Sequence, residues 1–319
     1  MARLLAVALI SLFAGAASAA WPADKPITLL VAYSPGGGTD LVARAIAPYL
    51  EKYLAGAKIV IVNRAGAGGE IGFAAIANAA PDGYTIGFVN TPPLMTIPIE
   101  RTAQFGGPQR FDLLGNLIDD PCNFAVHADS QIRDLKDLAA FAKANPGAVT
   151  VGTSGIGSDD HLLMLMFERA AGVKMTHVPF KGSSDTRTAL LSKSITVAAI
   201  NIGESLQAIA GGAPMRNIGQ FAPARANLAP DLPTAREQGY DIELSSLRGM
   251  AAPKGLPPEI RDRLVKAVAS AAADAEFQAQ AVKFYAPLRF LSPAEFDRVI
   301  KEAEVGFKQL WKELPWGEK

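Results

Sequence analysis

The sequence has few of the residues that form disulfides, metal centres or nucleic-acid surfaces. Its 319 residues include one cysteine, Cys122, which excludes an internal disulfide and a cysteine-based zinc site. The three histidines, His127, His161 and His177, lie far apart in sequence, so no histidine metal cluster is expected. Only 19% of residues are charged, and 31 basic side chains balance 31 acidic ones, which argues against nucleic acid as a partner. We therefore expect a soluble, globular protein that needs no cofactor and no metal.

The first nineteen residues have the pattern of a secretory signal peptide. Arg3 supplies a positive charge, an apolar run from Leu4 to Ala17 follows, and Ala17-Ser18-Ala19 provides small residues at a cleavage position. Beyond Trp21 no stretch approaches the roughly 20 apolar residues of a membrane helix. A buried N-terminal helix is the alternative. We predict a signal peptide over residues 1–19 and, because no cysteine follows it to carry a lipid anchor, a periplasmic location.

Strands, glycine-rich turns and helices alternate in the chain that follows. The apolar run Ile27–Ala32 predicts a strand, Ser34–Asp40 a turn, and Leu41–Tyr53 a helix, because its apolar residues recur at helical spacing. The same order repeats from Lys58 to Ala79, and Tyr84–Asn90 predicts another strand. Such alternation is typical of an α/β fold with mostly parallel sheets and helices on both faces.

A second set of α/β units begins near Asn123. Strands are predicted at Phe124–His127, Val149–Thr153, Met175–Pro179, Ile195–Asn201 and Met215–Phe221, and helices at Leu135–Ala144, His161–Ala171 and Asp185–Leu191. The last third is predicted to be helical at Pro257–Asp274 and Ser292–Leu314, and the latter helix opens with a capping box. We predict two lobes, residues 20–120 plus 248–319 and residues 121–247, with a ligand cleft at the carboxyl ends of the strands.

The glycine-rich turns indicate a site for an anion. Helix N-termini expose unpaired N–H groups, glycines let the backbone approach a ligand, and hydroxyls at Ser34, Thr39, Ser154 and Ser158 add donors. Arg248, on a segment returning between the lobes, could hold a carboxylate in bidentate fashion. The residue spacing matches neither a dinucleotide fingerprint nor a P-loop. It does not match a nucleophile elbow either, because Ile156 stands where the elbow needs glycine. A serine triad stays open on composition alone.

Several motifs together resemble the Bug receptors, the periplasmic solute-binding proteins of tripartite tricarboxylate transporters. They are Tyr33–Asp40, Asn63–Gly72, Pro81-Asp82-Gly83-Tyr84-Thr85, His177–Gly182, Leu232-Pro233-Thr234 and Ala252-Pro253-Lys254-Gly255. The resemblance covers nearly the whole chain after the signal peptide. It implies a two-lobed Venus flytrap that closes on a small organic acid, is not an enzyme, acts as a monomer and passes its solute to membrane permease subunits. A secreted hydrolase or reductase, or a receptor that signals through a membrane partner, are the alternatives.

The resemblance, together with the turns, selects the candidate ligand-binding residues. In the first lobe they are Tyr33, Ser34, Gly36, Gly37, Thr39, Asp40, Ala67 and Gly68, with Arg248 on the returning segment. In the second lobe they are Ser154, Gly155, Ser158, Asp159, His161, Lys181, Gly182, Ser183, Asp185 and Asn201. For His161 a local bond in the first turn of its helix is the alternative.

Acidic residues distinguish this chain from the family pattern. Asp159, Asp160 and Asp185 stand where small or hydroxyl residues, or proline, are common, and Glu204 could add to their charge. Two like unit charges 4 Å apart repel by about 4 kcal/mol at the effective dielectric of a protein surface, so these carboxylates would oppose a carboxylate ligand. We expect Asp160 to point away from the cleft. For Asp159 and Asp185 the hypothesis of an amine-bearing ligand stays open.

Overall fold

The computed structural model describes residues 21–317, so the predicted signal peptide lies outside the described residues. The strands are β1 (Ile27–Val31), β2 (Ile59–Asn63), β3 (Thr85–Asn90), β4 (Phe111–His127), β5 (Thr150–Thr153), β6 (Thr176–Pro179), β7 (Val197–Asn201), β8 (Met215–Gln220), β9 (Ser245–Pro253) and β10 (Leu288–Leu291). The helices are α1 (Gly38–Tyr53), α2 (Glu70–Ala77), α3 (Pro93–Glu100), α4 (Leu135–Ala144), α5 (Asp159–Ala171), α6 (Ser183–Leu191), α7 (Ile202–Ala210), α8 (Pro258–Ala272), α9 (Ala275–Lys283) and α10 (Pro293–Glu313). Within residues 21–317, no helix combines the length and apolar character that a membrane span requires.

Two sheets share the long strand β4. In the first sheet the order is β2-β1-β3-β9-β4, with β10 also paired to β4; in the second, β4 is followed by β7, β5 and β6, with β8 also paired to β4. Residues Phe111–Pro121 pair with β9, and Cys122–His127 pair with β7 and β8. The molecule is therefore two-lobed, and β4 runs from one lobe into the other. The predicted lobe limits at 120 and 247 stay a prediction.

The sheets are mixed in direction. β1 pairs in parallel with β2 and β3, and β5 with β6 and β7, as the alternating units predict. All pairings of β4, and that of β3 with β9, are antiparallel. The parallel strands are the ones that matter for a ligand, since their carboxyl ends lead into the glycine-rich turns.

Helix ends follow the local sequence. The Ser158 side chain caps α5 by accepting from the His161 N–H, and Gly172 ends that helix in the left-handed conformation. Ser292 and Glu295 form the predicted capping box at the start of α10. Each sheet packs its helices over its own apolar core. Phe73, Phe105 and Phe111 meet edge-on or tilted in the first lobe, and Phe124 meets Phe167 and Phe221 edge-to-face in the second.

Gly249 and Gly306 give a matched test of the packing of α10 against β9. A Cβ at Gly249 would collide with the fully buried Phe296 ring, whereas a Cβ at Gly306 would meet nothing within 4 Å. We expect Gly249→Ala to lower the free energy of unfolding by about 1–3 kcal/mol through overpacking. Gly306→Ala should raise it by about 0.5–1 kcal/mol through helix propensity. Urea unfolding measures both, and equal effects would contradict this packing.

Candidate functional site

The glycine-rich turns of the two lobes meet across the cleft. Ser34 Oγ, after β1, donates to Asp185 Oδ2 on α6 at 2.6 Å, and Thr96 Oγ1 of α3 donates to the Gly157 carbonyl at 2.6 Å. Gly155 approaches Gly68 so closely that an added Cβ would lie 2.8 Å from the Gly68 Cα, and its φ is +122°. Because these contacts join one lobe to the other, the structure is the closed conformation.

Two cavities lie along the closed cleft. The outer cavity, of about 1070 Å³, lies between the turn at Ala67–Gly68, the loops at Gly155 and Lys181, and Trp311 of α10. The inner cavity, of about 20 Å³, lies deeper, at the start of α1 and at the ends of β3, β5 and β7. A cavity of that size has room for about one water molecule or a group of similar size.

Buried charges surround the inner cavity. Asp159, Asp160 and Glu204 line it together with Arg248 of β9, and all four side chains are more than nine-tenths buried. Arg248 Nη2 lies 2.8 Å from Glu204 Oε1 and 3.2 Å from Asp120 Oδ2. The guanidinium therefore binds the protein's own carboxylates. The sequence alone suggests instead that it binds a carboxylate of the ligand.

Protein carboxylates also occupy the backbone donors that the turns present. Glu204 Oε1 accepts from the Gly38 N–H at the first turn of α1, at 2.9 Å. Asp160 Oδ2 accepts from the N–H and the hydroxyl of Ser154, at 3.1 and 2.6 Å. Thus the donors of Gly38 and Ser154 at the inner cavity are satisfied from within the chain. The prediction that Asp160 points away from the cleft is wrong, because its bond to Ser154 turns the carboxylate towards the cavity.

Burial raises the pKa values of three carboxyl groups in this cluster. It raises the pKa of Asp120 to about 7, while Arg248 acts in the opposite direction. Burial and the neighbouring Asp159 carboxylate raise the pKa of Asp160 well above its usual value. Burial raises the pKa of Asp159 as well, against a bond from Asn201 Nδ2 at 2.9 Å. Four carboxylates gathered around one guanidinium therefore favour either bound protons or an added cation.

Two histidines stack at the base of α5. The rings of His161 and His177 lie 3.9 Å apart and nearly parallel. His161 Nδ1 accepts from the Gly157 N–H at 3.2 Å, and His177 Nε2 lies 2.7 Å from Thr153 Oγ1. Burial lowers the pKa of His161 to about 3 and that of His177 to about 4. The neutral pair shapes the turn before α5, and neither ring bonds to a serine hydroxyl as the hydrolase alternative would need.

The structure distributes the candidate residues over three places. Tyr33, Gly37, Thr39 and Arg248 line the inner cavity from the first lobe, and Ser154, Asp159, Ser183 and Asn201 line it from the second. The outer cavity is lined by Ala67, Gly68, Gly155, Lys181 and Asp185. The remaining six candidates line neither cavity: Ser34, Gly36, Asp40, Ser158, His161 and Gly182.

The residues outside the cavities shape the turns. The Asp40 carboxylate accepts from the Gly36 N–H, Arg44 and Asn63, so it stabilises the first turn of α1. Asn90 and Ser246, which the sequence did not single out, also line the inner cavity, as does Glu204, which the sequence marked only for its charge. Asn90 ends β3, so the carboxyl-end rule could have found it, whereas no local pattern marks Trp311 in the outer cavity.

Comparison with known proteins places this geometry in a family. Residues 42–313 match the family described as "Tripartite tricarboxylate transporter family receptor". BugT of Bordetella pertussis is 32% identical over 269 residues, which cover 82% of this chain and 81% of that protein. The solved structure of the periplasmic binding protein BugD has a TM-score of 0.86 at 29% identity, covering 92% of this chain and 99% of that chain. R. palustris Rpa4515, solved with adipate, has a TM-score of 0.85 at 26% identity, covering 92% and 97%.

The stacked histidines predict a pH dependence of stability. The unfolded imidazole takes up a proton near pH 6.5, but folded His161 does so only near pH 3, so the unfolded state binds more protons between these values. The contribution of this group to stability is complete above pH 6.5 and falls as the pH falls. His161→Gln should therefore flatten the loss of stability between pH 6.5 and 4, measured by urea unfolding at several pH values. Asp120, whose folded pKa is raised, acts in the opposite direction over the same window. An unchanged pH slope in His161→Gln would contradict the assignment.

Proposed function

The chain belongs to the tripartite tricarboxylate transporter family of receptors, and on that premise we propose that it captures a small organic carboxylate between its lobes and delivers it to membrane permease subunits. The observation that carries the proposal is the meeting of turns from both lobes around the cleft. Such a cleft can close over a solute and release it when the lobes separate. The solved relative that holds adipate supports a carboxylate as the solute.

We propose that closure itself is the working step. The Ser34–Asp185 and Thr96–Gly157 bonds and the Arg169–Glu313 ion pair, at 3.0 Å between α5 and α10, join the lobes in the closed state. A solute that bridges the turns stabilises this state over the open one, so binding shifts an equilibrium that exists without it. The protein then acts as a periplasmic receptor with binding, and no chemical reaction, as its function.

The outer cavity offers the groups that a carboxylate needs. Lys181 supplies a cation at its wall, the backbone of Gly68 and Gly155 can approach a ligand closely, and Trp311 supplies an aromatic side chain for the carbon chain of a solute. Its volume of about 1070 Å³ exceeds that of the inner cavity many times, so the body of the solute is expected there.

A solute panel tests the proposed function. The purified protein is refolded to remove carried-over solute. Its melting temperature is then measured with dicarboxylates, tricarboxylates, amino acids, aromatic acids and amine-bearing acids. A ligand at about 100 times its dissociation constant adds about 2.7 kcal/mol and shifts the melting temperature by several degrees. The absence of a shift with every solute would contradict capture of small organic acids.

A closure variant tests the proposed mechanism. Gly155→Ala places a Cβ against the Gly68 backbone at the contact between the lobes. Gly172 also has a positive φ, +65° against +122° for Gly155, but a Cβ there would meet nothing within 4 Å. We expect Gly155→Ala to weaken binding of the best solute by at least about tenfold, because closure is blocked, and to keep the radius of gyration large when solute is added. Gly172→Ala should bind and compact normally. Equal compaction of both variants would show that closure does not depend on this contact.

A further inference from the structure

We propose that the inner cavity is a binding site for a primary ammonium group, so that the solute carries an amine at the end that enters first. This inference rests on the proposed function and specifies its substrate class. It assigns the deep end of the cleft to a cation, although the helix N-termini around it are groups that attract anions. The solute's carboxylate, if it has one, then lies in the outer cavity.

Three acceptor oxygens at the inner cavity have no partner. Among residues 21–317, Asn90 Oδ1, Asp160 Oδ1 and Glu204 Oε2 are buried polar atoms without a hydrogen bond, and all three residues line this cavity. The residues are between 2% and 7% exposed, so bulk water does not satisfy them. Buried acceptors of this kind are costly unless a donor reaches them. A primary ammonium has three N–H donors and no acceptor, which matches the three oxygens in number and in kind.

Several donors near the cavity are already in use. Glu204 accepts a hydrogen bond from the Gly38 N–H, and Asp160 accepts from the N–H and the hydroxyl of Ser154. Asn201 Nδ2 donates to Asp159. Asn90 Nδ2 donates to Thr39 Oγ1 at 2.9 Å. A carboxylate entering here would meet acceptors on several sides and would have to displace Glu204 or Asp160 to reach the backbone N–H groups of Gly38 and Ser154. The occupied donors therefore argue against a carboxylate and for a donor.

The charge of the surroundings favours a cation as well. The groups that face Asp160 are Asp159 on its own helix, Glu204 of α7, Arg248 of β9, and Tyr33 after β1. Asp120 of β4 adds a fourth carboxylate against the single guanidinium. Burial raises the pKa of Asp160, so protons compete with an ammonium for this carboxylate. Amine binding should accordingly tighten as the pH rises, with release of protons.

Three solutes with the same four-methylene chain test the proposal: adipate, 5-aminopentanoate and 1,4-diaminobutane. Isothermal titration and melting of the purified protein should show binding of the two amines, with adipate at least about tenfold weaker. Binding of adipate without either amine would overturn the ammonium site and leave the capture function standing. If neither amine binds while other carboxylates of the wider panel do, the ammonium site is likewise overturned and the capture function stands. If no solute binds at all, both the function and the site fail.

Neutral isosteres locate the site. Asp160→Asn and Glu204→Gln each remove one acceptor charge while keeping the side-chain shape, and each should weaken amine binding by at least about tenfold. Glu302→Gln, an exposed acid on α10, makes the same change of charge far from the cavity and should have no effect. Having two variants keeps the test open if one of them fails to fold, which circular dichroism would reveal. Amine binding that is unchanged in both folded variants would overturn the assignment, because the amine would then bind elsewhere.

Discussion

The closed cleft depends on one buried cation. Arg248 on β9 is 3% exposed and lies between Asp120 of β4 and Glu204 of α7, so one guanidinium joins the central strands of the first sheet to a helix of the second lobe. Glu204 in turn holds the start of α1 through the Gly38 N–H. Removing one partner of such a buried pair leaves an uncompensated charge, which is strongly destabilising. This pairing fixes Glu204, one of the acidic side chains that line the inner cavity.

The local units of the fold could be predicted from the sequence, and the pairings across it could not. Apolar spacing and glycine turns located β1, α1, β2 and α4 to within a few residues, because those signals lie within a short stretch of chain. Of β4, only the last four residues are predicted to form a strand from the sequence alone. Its earlier part, from Phe111 onwards, is a strand because it pairs with β9, about 140 residues later in the chain. β9 is likewise a strand because it pairs with β3 on one side and with β4 on the other.

For the site, the turns could be predicted but the side-chain directions could not. The rule that ligands bind at the carboxyl ends of parallel strands identified the loops after β1, β2 and β5. Whether Asp160 faces the cleft depends on a bond to Ser154, and whether Arg248 is available depends on Glu204 and Asp120, which lie far away in sequence. The excess of acids was visible in the sequence, and the structure adds that these acids occupy the donors of the helix N-termini.

The shared strand also says how the second lobe is joined to the first. Pro121 of β4 and Ser245 of β9 are direct antiparallel partners, and the second sheet is built from the chain between them. A two-residue turn of the kind that closes β-hairpins would join those two positions without disturbing the strands of the first sheet. In architectural terms the strands β5 to β8 lie in an insertion at the tip of a hairpin formed by β4 and β9. The first lobe therefore offers a scaffold into which a different ligand-recognising lobe could be grafted at the same two residues.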